Sequence, residues 1–243
     1  MSVESGRRSM REGWDALSRS QKPRAGTPPY TLYVNRPIGR CFAVLAYFVG
    51  LTPNQVSLLS FGMSIGGLVY LVLGGHESLL GSIIGVAILL VAYALDSADG
   101  QLARLLGAKN PAGAWLDHVL DSLKTPLFHI SVTLCVYQSH EISVAALYLL
   151  LGAGALNSAL FFSNELKSYL LKSRWTPTTI GGKAKILLYL PFDYGAMCFL
   201  FLLAPLGWLF SAYAIWGAGL VAFACHSFMR ARAMLEESGG GES

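Results

Sequence analysis

The chain alternates long apolar stretches with short polar breaks. Residues 41–49 (CFAVLAYFV) are apolar but too short to cross a bilayer, and Pro53 separates them from the next apolar stretch. A helical span needs roughly 20 apolar residues. Residues 36–50 are therefore predicted to form an amphipathic helix lying at the interface, with Arg36 and Arg40 at the head-group level. Six later stretches do reach spanning length, near 55–75, 78–103, 111–138, 142–164, 186–205 and 208–229. Gly, Ser and Ala recur inside them, as close helix packing in lipid requires. The expected fold is all-α: a polytopic membrane protein of six transmembrane helices preceded by an interfacial helix. It occupies 36–230, between a flexible basic tail (1–35) and a polar tail (231–243).

Composition supports the same class. Of 243 residues, 53% are hydrophobic and 13% charged, with a mean hydropathy of +0.50. Soluble proteins carry roughly 25% charged residues, so an ordinary soluble domain, a disordered chain and a nucleic-acid-binding module are excluded. Cys41, Cys135, Cys198 and Cys225 lie far apart in apolar stretches and suggest neither a disulfide frame nor a thiolate metal site. Arg7-Arg8 is followed by no apolar run, so no signal peptide is expected at the start of the sequence given.

The position of the charge adds an orientation. With the amino terminus inside, the outer loops fall near 75–77, 137–141 and 205–208, which hold His76, Glu77, His140 and Glu141 but no Lys or Arg. All 18 basic residues lie in the tails, the interfacial helix, the inner loops or the inner end of a span. By the positive-inside rule both termini are expected in the cytosol.

Carboxylates inside membrane helices are costly and usually functional, and the second and third spans carry four. Asp96 and Asp99 are three residues apart, Asp117 and Asp121 four apart, so each pair shares a helix face. A tight turn at 107–110 joins the two helices, with Pro111 suited to the first turn of the next. Folding that hairpin about residue 108 brings all four acids to nearly the same depth, because both helices rise equally per residue. Four converging charges tolerate one another when cations sit between them, and hard oxygen ligands favour Mg²⁺ or Mn²⁺. Four acidic ligands can hold two ions, an arrangement suited to phosphoryl transfer. Gly100 and Gly113 clear side chains from the neighbourhood, Ala103 keeps its face open, and Arg104 can clamp a phosphate. Pairing of the acids with Arg104 and Lys124 is the alternative, but two cations are too few for four anions.

Asp96, Asp99, Gly100, Ala103, Arg104, Gly113, Asp117 and Asp121 match every fixed position of D-x2-D-G-x2-A-R-x8-G-x3-D-x3-D. This pattern resembles the CDP-alcohol phosphatidyltransferase family of integral membrane enzymes. The likeness extends to the six-span layout, the preceding amphipathic helix, and Leu51-Thr52-Pro53-Asn54-Gln55-Val56-Ser57 at the first span. The resemblance implies that Asp96, Asp99 and Asp117 bind two metals, and that Asp121 touches the second and serves as general base. It implies that Asn54, Ser57, Gly100 and Arg104, with Asn110, hold the CDP moiety. It further implies attack of an alcohol on the lipid-side phosphate of a CDP-linked donor, CDP-diacylglycerol first among candidates, with release of CMP. Relatives are often dimers, so a homodimer is expected.

The acceptor is less defined. Lys167, Lys172, Arg174, Lys183 and Lys185 in the fourth-to-fifth inner loop suit either a phosphorylated acceptor, such as glycerol 3-phosphate or inositol phosphate, or charge that simply sets topology. Gly182-Lys183-Ala184-Lys185 is similar to a G-K-x-K stretch in glycerophosphate-using members. Asp193 could line the acceptor pocket or pair with Lys185. Asp117-His118 with Asp121-Ser122 instead resembles CDP-aminoalcohol:diacylglycerol phosphotransferases. A membrane prenyltransferase would be expected to place its second acidic pair on a distant hairpin. A divalent-cation transporter would spread its acids over several depths.

Overall fold

The computed structural model describes residues 10–19, 27–108, 110–171 and 190–239. These form α1 (Met10–Arg19), α2 (Arg36–Val49), α3 (Pro53–Val72), α4 (Leu79–Leu105), α5 (Pro111–Ser139), α6 (Val144–Leu171), α7 (Tyr194–Cys198) and α8 (Leu209–Gly239). Among the described residues there is no strand. The protein is all-α and polytopic.

Five of these helices, α3, α4, α5, α6 and α8, are long and apolar enough to cross a membrane. Much of their surface is uncovered Leu, Ile, Val and Phe, for example Leu58, Leu80, Ile83, Leu149 and Phe162. Such apolar area is unstable in water and suits lipid. The predicted span at 186–205 departs from expectation. Its residues 186–189 lie outside the described set, and the rest is three short pieces: a 3₁₀ turn at Leu190–Phe192, α7, and a 3₁₀ stretch at Phe199–Leu203. Pro191 supplies no amide hydrogen and Asp193 turns its carboxylate onto backbone, so no continuous helix forms here. The described residues thus show five long spans where six were expected.

The tail expected to be flexible also contains structure. Within 1–35, α1 is an amphipathic helix, and Leu17 is fully buried with Ala43, Val44, Ala46, Val56, Ala98 and Leu102. Trp14 also packs beneath the Arg40 guanidinium, 5.1 Å from its ring centre. Among its described side chains, Trp14 and Leu17, one turn apart, make these contacts.

The chain gathers into two compact units, and α3, α4 and α5 contribute residues to both. The second unit contains the described parts of 68–86, 121–181 and 199–243. There α6 packs on α8, and Gly217 lets their backbones approach at Ala153. His129 is buried, bonded through Nδ1 to the Tyr213 hydroxyl at 2.8 Å and through Nε2 to Asn157 at 2.9 Å, and stacked on Trp216. His129 and Asn157 are satisfied polar residues between helices, as single polar groups in apolar helices usually are.

The first unit contains the described parts of 1–67, 87–120 and 182–198. Its helix ends are built by local sequence. Gly50 (φ 86°) closes α2, and Leu51 donates to the Ala46 carbonyl at 2.9 Å. Thr52 and Gln55 then cap α3 reciprocally, the Thr52 amide donating to Gln55 Oε1 at 2.9 Å and the Gln55 amide to Thr52 Oγ1 at 3.3 Å. Gly107 (φ 63°) ends α4 in the same way as Gly50 ends α2, with Ala108 donating to the Ala103 carbonyl. Asn110 caps α5 by accepting the Ala112 amide at 3.1 Å.

Helix α2 crosses α4 at a glycine. A Cβ at Gly39 would lie 2.8 Å from Ser97 Cβ and 2.9 Å from the Ala94 carbonyl oxygen. Gly39→Ala therefore forces the two helices apart and is expected to cost about 1–3 kcal/mol. A fall of several degrees in the melting temperature of detergent-purified protein checks this; an unchanged value contradicts the close crossing.

Candidate active site

Helix α4 ends where the carboxylates begin. Its last three turns carry Asp96, Asp99, Gly100, Ala103 and Arg104, and the first three turns of α5 carry Gly113, Asp117 and Asp121. Asp96, Asp99 and Asp117 each bring a carboxylate oxygen within 4.8 Å of the other two. Asp99 is buried and the other two are partly buried.

Asp99 is the most constrained of the three. The Ser57 hydroxyl on α3 lies 2.5 Å from its Oδ2 and 3.1 Å from the Pro53 carbonyl. One hydroxyl carries one proton, and the shorter, charge-assisted contact takes it. The Gly100 amide donates to Asp99 Oδ1. Ser57, expected at the nucleotide, directs its hydroxyl to a carboxylate. Asn54, one turn earlier on α3, lies against α5: a Cβ at Gly113 would come 3.0 Å from Asn54 Oδ1. Asn54 and Gly113 are thus brought together. Over Gly100 the space is open, since an added Cβ would meet only Arg104 Nη1, at 3.5 Å. Ala103 and Arg104 are partly buried beside it, and Asn110 is exposed in its capping position.

Asp121 is not one of the three clustered carboxylates, and Lys124 Nζ lies 2.7 Å from its Oδ1. Lys124 is itself buried, so its charge requires a close anion. Counting rise per residue places Asp121 at the right depth, but the direction of its side chain follows the buried lysine one turn on.

Asp193 is 2% exposed and its oxygens are occupied by protein donors. The Thr31 amide reaches Oδ2 at 3.0 Å, the Thr31 hydroxyl lies 3.2 Å from both oxygens, and the Gly195 amide reaches Oδ1 at 3.2 Å. Thr31 Oγ1 is in turn 2.7 Å from the Tyr93 hydroxyl on α4. Asp193 therefore fastens the segment before α2 to the start of α7, and Thr31 extends that tie to α4. Arg174, Lys183 and Lys185 lie outside the described residues.

A sequence profile of CDP-alcohol phosphatidyltransferases matches residues 50–224. The chain belongs to that family. No curated protein matches it closely enough to add a nearer relative. The phosphatidyltransferase match begins at the end of α2 and runs into α8, covering the whole carboxylate grouping. Its members transfer a phosphatidyl group from a CDP-alcohol in lipid biosynthesis with the help of a divalent metal, so this phosphatidyltransferase is a membrane enzyme of that type. The residues present suit such a metal. Three hard oxygen donors within 4.8 Å of one another, one of them fixed by hydrogen bonds on both oxygens, form an appropriate donor set.

A divalent cation that binds the folded state raises stability by an amount set by its concentration relative to Kd, about 2.7 kcal/mol at 100 Kd. Mg²⁺ or Mn²⁺ is expected to raise the melting temperature of the wild-type phosphatidyltransferase. Asp99→Asn should abolish that rise, and Ser57→Ala should shift it to several-fold higher cation concentration. Equal rises in all three proteins would contradict the assignment of this cluster.

Proposed function

We propose that the protein transfers a phosphatidyl group from CDP-diacylglycerol to a small alcohol, releasing CMP, at a site on the cytosolic side of the membrane. The observation that carries this reading is the grouping of Asp96, Asp99 and Asp117 beside Gly100 and Arg104, in the spacing of the family motif. In this reading those three carboxylates, with Asp121, hold a pair of divalent cations, Mg²⁺ or Mn²⁺. Bound there, such cations supply charge neutralisation for the donor diphosphate and for the departing CMP.

The protein's own groups perform the remaining tasks. Arg104, with two or more donors on one guanidinium, grips a donor phosphate beside the open backbone of Gly100. Asn54, with Gly113 and Ala103 giving it room, contributes to the nucleotide side, and Asn110 stands at the turn below. Asp121 accepts the proton of the alcohol hydroxyl as its oxygen attacks the lipid-side phosphorus; the bond from that phosphorus to the bridging oxygen breaks, and CMP leaves with the electron pair. Ser57 keeps Asp99 in its orientation. The basic residues Arg174, Lys183 and Lys185 support a phosphorylated acceptor, glycerol 3-phosphate or an inositol phosphate, by charge alone. Asp193, whose oxygens are already engaged, supports the shape of the acceptor side by fastening neighbouring elements. The one-sided distribution of Lys and Arg supports cytosolic termini and a cytosolic site. A homodimer belongs to this reading by family likeness.

Purified protein given CDP-diacylglycerol, Mg²⁺ and a panel of alcohols is expected to release CMP only when the right alcohol is present. Release from a CDP-aminoalcohol with diacylglycerol would reverse donor and acceptor. Asp121→Asn is expected to lower turnover by at least a hundredfold while retaining CDP-diacylglycerol binding. Ordinary turnover in that variant would remove Asp121 from the role of base.

A further inference from the structure

Resting on the metal-cluster reading, we infer that Leu17, on α1, is a positioning residue for Asp99. It wedges the ends of α3 and α4 at the separation that lets Ser57 hold that carboxylate for a cation. Leu17 precedes the region matched to the family, 50–224, and is no part of its motif.

Helix α1 and the carboxylates use the same two helices from different faces. Leu17 is 0% exposed and shares one buried apolar cluster with Val56 on α3, Ala98 and Leu102 on α4, and Ala43, Val44 and Ala46 on α2. Each of the first three is the sequence neighbour of a site residue: Val56 of Ser57, Ala98 of Asp99, Leu102 of Ala103. Adjacent residues project about 100° apart around a helix. Packing that fixes Val56 and Ala98 therefore also fixes the directions in which Ser57 and Asp99 leave their helices.

The wedge is itself held in place. A Cβ at Gly13 would lie 3.3 Å from Tyr47 on α2 and 3.8 Å from Leu105 on α4, so α1 sits close to both. Trp14 lies 5.1 Å beneath the Arg40 guanidinium, a second contact with α2. Helix α2 is in turn tied to this part of α4 by Gln101, whose Nε2 donates to the Arg36 carbonyl at 3.1 Å.

The bond beside the wedge has little tolerance. Ser57 Oγ on α3 lies 2.5 Å from Asp99 Oδ2 on α4, a short charge-assisted contact that weakens steeply when its length or angle changes. Close-packed interiors transmit strain, and a cavity in them is filled only in part by movement of its walls. The walls around Leu17 include the turns that carry Ser57 and Asp99, so that movement falls on their bond. Leu17 thus acts on the metal cluster through Val56 and Ala98.

Mn²⁺ binding to detergent-purified full-length protein, read by electron paramagnetic resonance, separates positioning from stability. Leu17→Ala is expected to weaken Mn²⁺ roughly three- to tenfold, as residues coupled to a ligand they do not touch can do. Leu17→Met, which conserves volume, should recover most of that loss. Leu220→Ala empties an equally buried position on α8, in the second unit, and should lower the melting temperature with Mn²⁺ affinity unchanged. Leu17→Ala combined with Ser57→Ala should bind Mn²⁺ no more weakly than Ser57→Ala alone, because both changes spoil one bond. Leu17→Val replaces Leu17→Ala if the latter does not fold. Wild-type Mn²⁺ affinity in the folded Leu17 variant would overturn the inference and leave the metal cluster standing. So would additive losses in the double variant, or an equal loss in Leu220→Ala. Mn²⁺ binding that Asp99→Asn leaves unchanged would overturn both readings.

Discussion

Like charge gathered in an apolar setting is the constraint around which the first unit is arranged. Oxygens of Asp96, Asp99 and Asp117 lie within 4.8 Å of one another. At an effective dielectric of about 20, each ionised pair at that range repels by roughly 3–4 kcal/mol. The hydroxyl of Ser57 and the amide of Gly100 secure Asp99, and a divalent metal of the kind the family uses would supply the opposite charge. A cluster of this kind is more stable with a cation between its carboxylates than without one.

Short local devices make that concentration of charge possible. Gly50 and the Thr52–Gln55 capping box fix where α3 begins, which sets Asn54 and Ser57 on its first two turns. Gly107, Asn110 and Pro111 end α4 and start α5 within a few residues, so the acids of both helices remain near the turn. Gly39, Gln101 and the Thr31–Asp193–Tyr93 linkage then bring α2 against the same length of α4. Each device is a conformational or hydrogen-bond requirement satisfied next door to the chemistry.

Much of this is legible in the sequence because it depends on spacing along single helices. The spans at 78–103 and 111–138 became Leu79–Leu105 and Pro111–Ser139, and the motif spacing brought Asp96, Asp99 and Asp117 together. The features hidden from sequence depend on side-chain direction and long-range partners. Equal helical rise put Asp121 with the other acids, but a buried Lys124 one turn away holds its carboxylate. For Asp193 the sequence offered an acceptor pocket or a pairing with Lys185, and gave no sign of its bond to Thr31, 162 positions earlier. Helix α1 was masked by its largely polar composition, with Trp14 and Leu17 among the described residues that face inward. The break in the predicted 186–205 span comes from Pro191 and Asp193, whose effect on helix continuity a window of average hydropathy does not register. The T-x-x-Q capping signal at Thr52 was present in the sequence and could have marked the start of α3.

The central claim is that Asp96, Asp99 and Asp117 hold the metal at which the transfer occurs. An anomalous difference map from crystals grown with Mn²⁺ tests it most directly. The account predicts density within coordinating distance of all three carboxylates, absent from the same crystals of Asp99→Asn. Saturating Mn²⁺ with no density there, or with density only at other carboxylates, would contradict it.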